Sequence, residues 1–269
     1  VSDTIVLALD NPESGAPGRD AGGIEFDPLL VEQAVFLAIP GTIYEKDFHA
    51  AREVCYQEPD PERRDHDFLR LEREWFVKLD LARPATDALA EWPAILSRVQ
   101  RCILAPSLRR RDECAELYGN HALNGPKLNL LIRLDAGLFT QPAQMGAFLR
   151  HELMHINDML DPGFDYDPSL GQFLDDRGIP NATRDRYRLL WDVSIDGRLS
   201  ARYGTAIAPQ TRNEIEFGKR FRVLGPRIAE AFNWILNAPT LAHPEILTFA
   251  RTPVALLQTI DLGRASTAS

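Results

Sequence analysis

Residues 148–165 read FLRHELMHINDMLDPGFD, and the reading of this stretch decides the fold. It sets His151 and His155 four residues apart, with Glu152 beside the first and acids at Asp158, Asp161 and Asp165. Apolar Phe148, Leu149, Leu153, Ile156 and Leu160 recur at three- to four-residue spacing, which predicts an amphipathic helix. Positions four apart share a helix face, so both imidazoles can reach one ion. Glu152 sits next to the first imidazole, where it can take a proton from a metal-activated water and pass it to a leaving amine. Two surface histidines on any amphipathic helix would show the same spacing, and a catalytic zinc needs three protein ligands with a fourth position open. The rest of the chain has to supply the third.

Working outward, Thr140 is the expected cap of this helix, Pro142 lies in its first turn, and Asp161-Pro162-Gly163 ends it. Before it, KLNLLIRL (Lys127 to Leu134) reads as a strand, introduced by the turn signal NGP at 124–126. After it, 175–181 reads as a loop, and Arg184 to Tyr203 as a helix closed by Gly204. That second helix carries LLWDVSIDGRLSARYG, in which Asp192 and Asp196 are four apart and share a face.

The stretch from Lys127 to Tyr203 resembles the core of the zincin metallopeptidases: edge strand, HExxH helix, then a helix bringing the third ligand. The resemblance implies zinc as cofactor, a peptide or protein as substrate, and KLNLLIRL as the edge strand that binds it in extended form. Three acids compete for the third position. In gluzincin-like members an acid on the later helix binds zinc, and an Asp four residues on holds a histidine ligand from behind. This layout puts Asp192 on the metal and Asp196 behind it, with Asp in place of the usual Glu. A second reading puts Asp196 itself on the metal; IDGR is faintly similar to a motif of the membrane-embedded site-2 proteases. A third uses Asp161, the position of the last metzincin ligand, although Asp158 stands where that branch has its turning glycine. Peptide deformylases share HExxH but take a cysteine ligand from upstream. DECAELYG around Cys114 has their Glu-Cys pair without their pattern. Asp192 is the expected ligand, and Asp196 and Asp161 stay open as alternatives. The oxyanion stabiliser is equally open among Tyr187, Tyr203, Arg198 and His243.

Elsewhere, TIVLAL (4–9) reads as a buried strand and 11–23 as a loop. Asp27-Pro28 and Asp60-Pro61 open helices. A further helix is expected from Ile43 to Gln57. Val99 to Leu104 fits a strand or a helix end. Arg109 to Tyr118 reads as a helix, Thr211 with Glu214 as a capping box, and more helices run to about Arg251. The acidic turn DPGFDYDP lacks the EF-hand form, and GAPGRDAGG has no Lys-Ser or Lys-Thr to make it a phosphate loop.

The fold class expected is α+β and mostly helical, a single compact catalytic unit over 1–269. Within it, 1–126 is mainly helical, 127–204 is the metal-site core, 205–260 holds C-terminal helices and 261–269 is a disordered tail. The chain has 269 residues, 45% of them hydrophobic and 26% charged, as in an ordinary globular protein. Its net charge of −9 argues against nucleic acid as a partner. Arg109-Arg110-Arg111 runs directly into Asp112-Glu113, as on a solvated face. Apolar runs are too short for a bilayer. Three cysteines without a CxxC spacing argue for a reducing, cytoplasmic setting. Secretion with a removed leader stays open, because the first residue is Val1. Two other functions fit the same residues: a metal-dependent amide hydrolase or biosynthetic enzyme that cleaves no peptide, and a non-catalytic zincin-like binding protein.

Overall fold

The computed structural model describes residues 5–7, 23–109, 112–119, 128–167, 181–204 and 210–267. It is mostly helical with one small mixed sheet, and its contacts cluster into two units, 1–156 and 157–269. The expected turn at 124–126, most of the loop at 11–23 and the loop at 175–180 lie outside the described residues.

The first unit holds the sheet. Its strands are β1 (Ile5–Leu7), β2 (Ile24–Phe26), β3 (Val99–Pro106), β4 (Cys114–Gly119) and β5 (Leu128–Leu134), in the order β1-β2-β3-β5-β4. β2, β3 and β5 run parallel, while β1 and β4 are antiparallel to their neighbours. Along β5 the buried residues are Leu128, Leu130, Ile132 and Leu134, every second position, as the two-residue period of a pleated strand requires. The helices of this unit are α1 (Pro28–Ala38), α2 (Glu45–Tyr56), α3 (Pro61–Lys78), α4 (Arg83–Ala90) and the single turn α5 (Pro93–Leu96); α1 and α5 pack on β3, α3 on α1, and α2 on α3. Asp27 and Asp60 cap α1 and α3 as expected, each accepting a bond from an amide two residues on, at 2.9 and 3.1 Å. Phe26, Phe76 and Phe139 meet at ring distances of 5.1 to 6.3 Å and join sheet to helices.

Three expectations about this unit are corrected. A helix is expected over Arg109 to Tyr118, but from Cys114 on this stretch is β4, paired with β5 from Cys114↔Arg133 to Gly119↔Leu128. Register against an apolar neighbour decides the conformation there, and helix propensity is a weak prior. Among the described residues β1 and β4 are therefore the edge strands of the sheet, while β5, the strand expected to bind substrate, lies between β3 and β4. Thr140 does not cap the HExxH helix either. It ends a 3-10 turn (Ala136–Thr140), and its hydroxyl donates back to the Gly137 carbonyl at 2.8 Å.

The HExxH helix, α6 (Pro142–Leu160), is unbroken through the division, which falls one residue after His155. The second unit continues with α7 (Asn181–Tyr203), α8 (Gln210–Arg220), α9 (Ile228–Asn237), α10 (His243–Arg251) and α11 (Pro253–Thr267). α7 is its axis, and α8, α9 and α10 pack on it. Gly197 is what lets α9 approach: a Cβ there would stand 1.7 Å from the Leu236 carbonyl oxygen. α8 begins at Gln210, one residue before Thr211, the expected cap. α11 runs on to Thr267, so most of the tail expected to be disordered is helical. Among the described residues no helix is long and apolar enough to cross a membrane.

Candidate metal centre

α6 forms because one side of it is continuously apolar. Met145, Leu149, Leu153 and Ile156 recur at spacings of four, four and three, and all are fully buried. Arg150 anchors the helix to the end of α4 through a fork on Glu91, with Nε–Oε2 at 2.9 Å and Nη2–Oε1 at 2.5 Å. That fixes the rotation of the next residues.

His151 and His155 follow on one face. Their Nε2 atoms are 3.3 Å apart and their ring centroids 5.0 Å apart. Two ligands bound tetrahedrally to zinc at its usual nitrogen distance are separated by roughly 3.3–3.4 Å. The pair therefore has the spacing a zinc ion asks of two imidazoles. Among the described residues one group of three could hold an ion. His151, His155 and Asp192, each half-buried, offer ligand atoms that all lie within 4.8 Å of one another. Two imidazole nitrogens and a carboxylate oxygen are a donor set that suits zinc.

The other two acids considered for the third position have partners of their own. Asp196 is buried, and its Oδ2 accepts a bond from Asn213 Nδ2 on α8 at 2.5 Å. Asp161 is exposed, and its Oδ1 accepts the Gly163 amide at 2.8 Å, closing the turn after α6. Neither belongs to the group of three. Cys114 does not belong to it either. Burial raises its thiol pKa, and its sulfur lies 3.6 Å from Arg133 Nη1.

Glu152 points to the sheet: its Oε2 accepts the Ala115 amide of β4 at 2.9 Å. Sequence reasoning missed this contact, because a backbone amide carries no residue signature. It also missed the role of Asp158. This buried carboxylate takes a fork from Arg198, Nη1–Oδ1 at 2.8 Å and Nη2–Oδ2 at 2.5 Å, and a bond from Trp191 Nε1 at 2.8 Å. Trp191 and Arg198 are seven apart on α7, two full turns, so their common face was readable once a buried acid was sought for it. Asp158 thus keeps α6 helical where a metzincin glycine would turn the chain.

The four oxyanion candidates are found in contacts of their own. Arg198 is held by Asp158. The Tyr187 hydroxyl and His243 Nδ1 are 2.6 Å apart in the core of the second unit. Burial raises the Tyr187 pKa and lowers that of His243, so both stay neutral at ordinary pH. The Arg202 guanidinium lies 5.1 Å from the Tyr203 ring centre. None of the four is in the group of three.

No family model, no curated protein and no solved structure matches the chain.

Proposed function

We propose that this chain is a zinc-dependent metallopeptidase with a zincin-like core. The observation that carries the proposal is the pair of Nε2 atoms 3.3 Å apart on α6, with Glu152 adjoining them. His151, His155 and Asp192 would hold the ion. When bound, zinc supplies a lowered pKa for a water and polarisation of a carbonyl. Glu152 takes the proton from the attacking water and delivers it to the amine that leaves as the C–N bond breaks. Asp196, held by Asn213, gives α7 a fixed anionic group one turn after Asp192.

The place of β4 at an edge of the described sheet supports a peptide as the substrate. An extended chain can add there as a further strand, matched to backbone groups and not to a fixed side-chain sequence. Free thiols at Cys55, Cys102 and Cys114 fit the reducing, cytoplasmic setting that goes with this reading.

The test is cleavage of a random peptide library by wild type and by Glu152→Gln, with products read by mass spectrometry. The expected result is cleavage abolished by a chelator, restored by zinc, and slowed about 10²–10⁴-fold in the variant, the usual worth of a general base. Cleavage at full rate by Glu152→Gln would overturn it.

A further inference from the structure

The Ala115 amide is the one described group of the sheet that bonds the residue assigned as base. In an antiparallel ladder, successive residues turn their N–H and C=O alternately toward the partner strand and away from it. The bond from Ala115 N–H to Glu152 Oε2 at 2.9 Å fixes the phase for β4. Ala115 faces away from β5, and by alternation so do Leu117 and Gly119. These outward groups line the sheet edge on which an added strand would have to pair. A single amide proton serves one strong acceptor at a time. Glu152 already occupies the site with a carboxylate oxygen, at the distance and in the role a peptide carbonyl would have. Ala115 is buried and has only a methyl for a side chain, and strand side chains project from the sheet faces and not along its edge.

We propose that the Ala115 amide is a shared docking point, which clasps Glu152 in the resting protein and passes to a carbonyl of an extended peptide laid along β4, releasing the carboxylate for proton transfer. The proposal rests on the metallopeptidase reading for the role of Glu152, and it adds a substrate-controlled clasp to that site. The partner it names is peptide backbone. Recognition runs through main-chain groups, so binding tolerates many sequences, and the base is set free only when a chain in extended form is present. A charged acceptor binds an amide more strongly than a neutral carbonyl does. The peptide therefore competes against the clasp, and removing the clasp must strengthen its binding.

The test uses hydrogen–deuterium exchange on the full chain in the presence of a chelator, so that cleavage plays no part. The probe is a pool of random-sequence octapeptides, acetylated and amidated at their ends. The reading is protection of the amides of residues 114–119 as the pool is titrated. Glu152→Ala is expected to reach half-maximal protection at about tenfold lower pool concentration than wild type, the usual worth of one charge-assisted bond. Ala115→Pro keeps Glu152 but lacks the amide. Because this amide points away from β5, proline leaves the ladder intact, and the pool-dependent protection is expected to disappear. Equal concentrations for wild type and Glu152→Ala, protection in neither, or undiminished protection in Ala115→Pro would each overturn the clasp. Zinc content and library cleavage are measured separately. A zinc-dependent peptidase with no competition at β4 would leave the function standing and remove only the clasp.

Discussion

Two neighbouring turns of α6 carry polar side chains of opposite design. At Asp158 every charge is answered: the carboxylate is buried against the Arg198 fork and the Trp191 indole. At His151 and His155 two nitrogens of the same kind face each other at 3.3 Å, half-buried. Neutral imidazoles in that arrangement gain at most one hydrogen bond between them, and two lone pairs brought together repel. A cation between them turns the same geometry into a favourable one. The contrast teaches how to separate a polar group that stabilises a fold from one that serves chemistry. The first is neutralised by its protein partners, and the second keeps the spacing that a shared cation would need.

The sharpest way to break this comparison is to open the closed side. Arg198→Met leaves Asp158 buried without its counter-charge and should cost about 3–5 kcal/mol of stability in urea unfolding. A loss below about 1 kcal/mol would mean that the fork is no structural clamp. Next in size is a pH effect at another buried acid. Glu72 lies beneath Arg52, with Nη1–Oε1 at 3.1 Å, and burial followed by the nearby charge of Glu32 raises its pKa to about 7. The folded value is above the unfolded one, so protonated Glu72 favours the fold. Its contribution is complete below the unfolded pKa, near 4.5, and is lost as pH rises through about 7. Glu72→Gln should therefore become more stable relative to wild type across this window, by roughly 1–3 kcal/mol at its upper end. Parallel stability–pH curves for the two proteins would contradict this.

The histidine side should respond in the reverse manner. His155→Ala is expected to change the stability of zinc-free protein by less than about 1 kcal/mol while abolishing zinc binding in a dye-competition titration. A large loss of stability without metal would make the histidines structural. The smallest effect belongs to Asp161. Its alanine variant loses one exposed turn bond, and should shift stability by about 0.5 kcal/mol with zinc affinity unchanged.

What could be read in the sequence follows the same division between local and distant causes. The helix starts at Asp27-Pro28 and Asp60-Pro61, the helix carrying His151 and His155, and the stop at Leu160 are all local, set by caps, prolines and apolar spacing. β4 reads as a helix in the sequence because CAELYG itself is silent about pairing, and only the register against β5 makes it a strand. The same error made β5 the expected edge. The acid for the third position could not be chosen from spacing, since Asp161, Asp192 and Asp196 each satisfy a known pattern. What distinguishes Asp192 is tertiary: its ligand atom lies within 4.8 Å of those of His151 and His155, and spacing along one helix does not carry that.

The central claim is that α6 and Asp192 hold a zinc ion. Elemental analysis of protein purified without added metal, with Asp161→Ala, Asp192→Ala and Asp196→Ala beside wild type, tests it most directly. The account predicts about one zinc per chain in wild type and in Asp161→Ala, and its loss in Asp192→Ala. No zinc in the wild type even when zinc is supplied, or zinc kept in Asp192→Ala and lost in Asp196→Ala or Asp161→Ala, would contradict it.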